Sequence, residues 1–133
     1  MTQRYTLLII TRQLADEQLL FLARPSTSFG ELVGMVLVAA KFNLSTCVIC
    51  LNWEHAPVWQ GFDGQVAALT PAYLPDELSL ANWFQVAAHQ VGMAGYQLAI
   101  VDGARDALNR GDLDGETVMA GVRAMRTDWT VLS

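Results

Sequence analysis

Thr46-Cys47-Val48-Ile49-Cys50-Leu51-Asn52-Trp53-Glu54-His55-Ala56-Pro57-Val58-Trp59-Gln60-Gly61-Phe62-Asp63-Gly64 changes character halfway along. Thr46 to Asn52 is mostly β-branched and apolar without alternation, the composition of a strand buried on both faces. From Trp53 onward it is polar and aromatic, with Glu54, His55 and Asp63 set among Trp53, Trp59 and Phe62. A central strand that empties into such a loop makes the loop the first candidate site. Trp53, Glu54, His55, Trp59, Phe62 and Asp63 are therefore the expected ligand- or partner-binding residues. Within the loop, residues 57–60 and 65–70 read as a hairpin over Gly61-Phe62-Asp63-Gly64, whose glycines tolerate positive φ.

Before this stretch, residues 5–11 read as a central strand, apolar on both faces. Residues 13–24 can be read as a helix or as a returning strand, and the helix formers Leu14, Ala15, Glu17, Gln18 and Leu19 favour the helix. Ser28 and Glu31 have the spacing of a capping box ahead of a helix over 29–42. That helix is apolar nearly all round, so it should be covered on two sides. Gly30 and Gly34 would let a second backbone approach.

After the stretch, Pro75 suits the first position of a helix running to about Val91, with Asp76 and Glu77 at its positive dipole end. Leu80, Trp83, Phe84, Ala87 and Val91 form its apolar stripe. Tyr96 to Val101 is a further strand, residues 104–110 a short helix, and Asp114 the cap of a helix over 115–126. Trp129 to Leu132 reads as an edge strand. Strands alternating with helices, with one hairpin inserted, predict an α+β fold: a mixed β-sheet packed by helices, a single two-layer domain over 1–133. The alternative is an α/β domain with a mainly parallel sheet.

Composition narrows the function classes. The chain is 53% apolar and only 16% charged, against about 25% charged in ordinary globular domains. Too few charges to cover the surface point to burial against a second copy, and a homodimer is expected, with the helix at 29–42 in the contact. The net charge is −5. No Lys or Arg lies between Phe42 and Ala104, where Glu54, Asp63, Asp76, Glu77 and Asp102 fall. Nucleic acid and anionic membranes need cations to neutralise phosphates, so neither is an expected partner. The apolar run Leu32 to Ala40 is far short of the ~20 residues that span a bilayer. The run after Arg4 is too short for a signal peptide core. A cytoplasmic location is the expectation.

The candidate chemistry is sparse. Cys47 and Cys50 have redox or zinc spacing, but in a strand they point to opposite faces and read as buried structural thiols. Cys50, His55 and His89 form a poor zinc set, since His89 falls on a distant helix; no metal or cofactor is expected. Phosphate loops, dinucleotide fingerprints and nucleophile elbows are absent from the sequence. An acid–base group is the sharper idea: Glu54 and His55 with Asp63, or with Asp102, which otherwise reads as a helix N-cap. If the strands ending at Thr11, Asn52 and Val101 are parallel neighbours, then Thr11, Arg12, Asn52, Glu54, His55 and Asp102 line one rim, where open α/β sheets bind ligands. The leading expectation is a small acidic protein- or ligand-binding module without catalysis, of chaperone, immunity-protein or inhibitor type. The alternative is a small-molecule-binding protein or enzyme using Glu54 and His55 with Asp63 or Asp102.

Overall fold

Five strands form one sheet in the order β3-β2-β4-β1-β5: β1 (Leu7–Ile10), β2 (Thr46–Cys50), β3 (Ala67–Leu69), β4 (Leu98–Asp102) and β5 (Thr130–Leu132). These come from a computed structural model that describes residues 4–62, 66–70, 79–125 and 130–132. β2 runs parallel to β3 and β4, while β1 is antiparallel to both β4 and β5. The sheet is therefore mixed and the fold is α+β.

Alternation along the strands divides the core in two. Leu7, Ile9, Cys47, Ile49, Ala99 and Val101 face one way. They meet α4 (Leu80–Ala94), α5 (Ala104–Arg110) and α6 (Gly115–Ala124). Leu8, Ile10, Val48, Cys50, Leu98 and Ile100 face the other way. They meet α1 (Asp16–Leu22), α2 (Phe29–Lys41) and α3 (Ala56–Gln60). Helices thus cover both faces, one layer more than the two-layer arrangement expected. The reason lies in β1, β2 and β4, which are apolar on both faces and cannot leave either to water.

The helix ends follow local chemistry. Ser28 Oγ accepts from the Glu31 amide at 3.2 Å, but the Glu31 carboxylate turns to Thr27, taking its amide at 2.6 Å and its hydroxyl at 2.8 Å. Ser79 and Asp114 cap α4 and α6. α4 runs past Val91 and stops at Gly95, in the left-handed region at φ 77°. Gly92 lies inside that helix because no Cβ fits there: it would collide with the Ala124 carbonyl of α6. Pro75, Asp76, Glu77 and Trp129 lie outside the described residues.

Two expectations are corrected. Residues 57–60 are not a hairpin strand. A 3-10 turn over Trp53–His55 leads into α3, with Pro57 in its first turn, where a missing amide costs nothing. The strand that follows, β3, pairs in parallel with β2 at the edge of the sheet, and residues 57–60 are helix and give it no antiparallel partner. Second, β1 does not run with β2 and β4. Thr11 therefore meets the beginning of β4, its amide donating to the Gln97 carbonyl at 3.0 Å. Thr11 and Arg12 are at the opposite end of the sheet from Asn52, Glu54, His55 and Asp102. α2 lies between β1 and β2 in the chain, while β4 separates those two strands in the sheet.

Candidate functional site

β2 and β4 pair in register from Thr46↔Leu98 to Cys50↔Asp102 and end together. The Leu51 amide extends the ladder by donating to the Asp102 carbonyl at 2.8 Å. Beyond that point the chains diverge. Asn52 caps the turn with its side-chain oxygen, 3.0 Å from the Glu54 amide. Gly103 turns β4 into α5 at φ 92°, with the Asn52 backbone too close to admit a Cβ comfortably. Gly103, not Asp102, takes the cap position of α5.

That leaves the Asp102 side chain free to follow Leu98 and Ile100 toward the α3 face. It is fully buried, at 0% exposure. One of its oxygens, Oδ2, lies 2.8 Å from Trp59 Nε1 and 2.8 Å from His55 Nδ1. An indole nitrogen can only donate, so Oδ2 is an acceptor. With Asp102 ionised, the second contact on it is Nδ1–H of His55, the tautomer that leaves Nε2 as the lone pair of the neutral ring. The other oxygen, Oδ1, is buried with no hydrogen-bond partner among the described residues.

Aromatic rings fix the imidazole from the side. Phe29 stacks on His55 with centroids 3.6 Å apart and planes 12° from parallel. Phe29 also meets Trp59 edge-on at 5.7 Å, and Tyr5 lies 6.4 Å from His55. Burial pushes the Asp102 carboxyl above its ordinary value, opposed by the hydrogen bonds from Trp59 and His55. Burial, then the charges of Asp102, Asp106 and Cys50, push the Tyr5 phenol up to about 12. Burial and Asp102 push the Cys50 thiol to about 12 as well.

At the same sheet edge is an open cleft of about 330 Å³, whose lining includes Asn52, Trp53, Glu54, Gly103, Asp106 and Arg110. Arg110 is held by Asp112, Nε to Oδ2 at 3.0 Å.

The expected site residues separate. Trp53 and Glu54 are exposed and border the cleft. His55 turns to Asp102 rather than to Glu54. Trp59 is core, and Phe62 is half-buried against it at 6.4 Å. Asp63 lies outside the described residues. His89 is exposed on α4, across the sheet from His55, so Cys50, His55 and His89 do not assemble. Cys47 and Cys50 are buried, unpaired and in different halves of the core. Sequence reasoning missed Tyr5, Phe29, Asp106 and Arg110. Asp106 had a local signal, one helical turn beyond Asp102; the aromatics had none.

No protein-family model matches this chain, and no curated protein or solved structure shows significant similarity to it. Its function has to be argued from the site itself.

Proposed function

We propose that this protein is a small-molecule-binding module whose ligand occupies the cleft beyond the carboxyl ends of β2 and β4. One observation carries the reading: two adjacent parallel strands end in register at a cleft of about 330 Å³ lined from both of their following loops. Strand ends of this kind are where open sheets with parallel strands place ligands. The volume is at the lower end of the roughly 300–1,000 Å³ usual for small-molecule pockets. Trp53 supplies an exposed aromatic face at 41% exposure, and Glu54, Asp106 and Asn52 supply polar contacts. The test is amide NMR of the protein against a fragment library. Binding should move resonances of residues 51–54 and 103–110 and should be lost in Trp53→Ala but kept in His89→Gln. Shifts gathered elsewhere, or Trp53→Ala binding normally, would sink the reading.

A second reading, a protein-binding module that forms a homodimer, rests on the other face. Leu19, Leu20, Val38 and Phe42 are exposed large apolar side chains on or beside α1 and α2. Native mass spectrometry decides between one copy and two. The cytoplasmic placement belongs to the proposal too. It is supported by two unpaired cysteines, which suit a reducing compartment. Among the described residues, no helix is long and apolar enough to cross a membrane.

A further inference from the structure

We propose that His55, oriented by the buried Asp102, is a proton acceptor, and that its Nε2 removes a proton from a hydroxyl or thiol group of a neutral or cationic molecule bound at this sheet edge. The inference rests on the small-molecule reading and adds chemistry to it: His55 follows the cleft residues Trp53 and Glu54 without lining the cleft itself, so the substrate has to extend past them to the exposed part of the imidazole.

The geometry is that of a held base. A base acts well when its tautomer and direction are set before the substrate arrives. Asp102 Oδ2 takes Nδ1–H of His55 at 2.8 Å, and Trp59, itself at 0% exposure, pins the same oxygen at 2.8 Å. Phe29 stacked at 3.6 Å prevents the ring from tilting away. His55 keeps 17% of its side chain exposed, so the ring reaches solvent while its partner does not. Nε2 has no hydrogen-bond partner among the described residues. A carboxylate at 0% exposure whose Oδ1 has no partner among the described residues is costly for a fold to maintain merely to fasten one surface histidine. It is better accounted for as the support for an imidazolium that forms during a reaction.

The charge around the pair selects the substrate. The titratable groups facing it are Tyr5 ahead of β1, Cys50 on β2 and Asp106 on α5, with Glu54 next in the chain. The nearby arginines are committed. Arg4 donates to the Leu22 and Ala23 carbonyls, Arg105 Nε to the Arg4 carbonyl, and Arg110 Nε to Asp112. These bonds hold the guanidinium groups without cancelling their charge, so Glu54, Asp102, Asp106 and Asp112 exceed Arg4, Arg105 and Arg110 by one, a balance that favours a neutral or cationic substrate over a polyanionic one. In the step, the O–H or S–H bond of the substrate breaks and an N–H bond forms at Nε2. The electron pair stays on the oxygen or sulfur, which becomes the nucleophile. The new imidazolium sits against Asp102, which keeps its own charge, and the proton later returns to the product or to water.

The experiment has two readouts on the full chain. Long-range nitrogen–proton NMR of the imidazoles reports the tautomer, and hydrolysis of p-nitrophenyl acetate, a neutral probe, read with its solvent deuterium isotope effect, reports proton removal from water. An isotope effect near one marks direct attack of Nε2 on the ester and overturns the proposal. The expected result is Nδ1–H on neutral His55 and ester hydrolysis at least about tenfold above buffer. His55→Gln should fall to the buffer rate and His89→Gln should leave the rate unchanged. Trp59→Phe, which removes one donor without emptying the core, should shift the His55 tautomer signals, as should Asp102→Asn if it folds. Nε2–H on neutral His55, or hydrolysis that survives His55→Gln, overturns the proposal, as does hydrolysis no faster than buffer. Fragment binding at residues 51–54 and 103–110 with an inert His55 would sink this step alone. An active His55 with no fragment bound there would instead remove the binding reading beneath it.

Discussion

Trp59 Nε1 donates to Asp102 Oδ2 over 2.8 Å, tying the largest fully buried side chain to a carboxylate at 0% exposure. The bond joins α3 to the end of β4 and fixes the segment that holds His55. Trp59→Phe keeps most of the packing and removes the donor, so it should cost about 1.5–3 kcal/mol, the range for a hydrogen bond to a charged group. Trp59→Ala also opens a cavity and should cost about 3–5 kcal/mol. Urea unfolding of the two variants separates the terms. Equal losses would mean that the cavity adds nothing, and a Trp59→Phe variant as stable as its parent would mean that the hydrogen bond contributes nothing.

The pH dependence of stability should carry the mark of Asp102. Burial holds its carboxyl above the ordinary 3.8 in the folded state, so between those two values the native protein binds more protons than the unfolded chain. Stability from this group is therefore fully present below 3.8 and is lost as pH rises through the native value. Glu31 and Asp114 have the opposite sign. Hydrogen bonds from Thr27 and Thr117 hold them below their ordinary values, so their contribution is lost as pH falls. Comparing Asp102→Asn with its parent in a His55→Gln background cancels these and removes the coupled imidazole. The parent should lose stability relative to the Asn variant as pH climbs from below 3.8 toward neutrality. A flat difference would show that the carboxyl is not held high.

Much of this architecture was legible from short-range chemistry, and the gaps have identifiable causes. β2 and β4 announced themselves by apolar composition, and the Ser28 and Asp114 caps lie where their helices begin. The direction of β1 was not legible, because an apolar strand reads alike either way. That error sent Thr11 and Arg12 to the wrong end of the sheet. Gly61 and Gly64 suggested a hairpin, yet Pro57 and the buried Trp59 mark a short helix. Asp102 was among the candidates as a partner for His55, but its burial beneath Trp59 is tertiary. Tyr5 and Phe29 reach His55 from segments far away in the chain, with no local signal.

Gly92 and Gly34 both lie inside helices and should respond oppositely to alanine. A Cβ at Gly92 runs into the Ala124 carbonyl of α6, so backbone must move and the loss should be about 1–3 kcal/mol or more. A Cβ at Gly34 of α2 meets nothing within 4 Å. The less flexible unfolded chain should then give a gain of about 0.5–1 kcal/mol. Urea midpoints of the two variants check both signs.

Cys47 and Cys50 should be inert in the native protein. Burial pushes both thiols up to about 12, so almost no thiolate exists at neutral pH. A chromogenic disulfide reagent should find no fast-reacting thiol in buffer and both in denaturant. A fast native thiol would mean that one strand end opens readily.

The exposed apolar surface on α1 and α2 bears on assembly. Leu20 is 75% exposed and Phe42 53%, and the Phe21–Phe42 ring contact at 5.5 Å brings the two segments together. Two-fold pairing across this surface would bury each side chain twice. A leucine moved from water into such a contact contributes about 1.5–3 kcal/mol per copy. Leu20→Glu should therefore weaken a dimer at least about a hundredfold, since each 1.4 kcal/mol is a factor of about ten. Native mass spectrometry at one concentration should show the parent as a dimer and Leu20→Glu as a monomer, with unchanged circular dichroism. A monomeric parent would rule out the dimer. A dimer indifferent to Leu20→Glu would move the contact elsewhere, with Val86 and Met93 on the outer side of α4, at 48% and 73% exposure, the next side chains to charge.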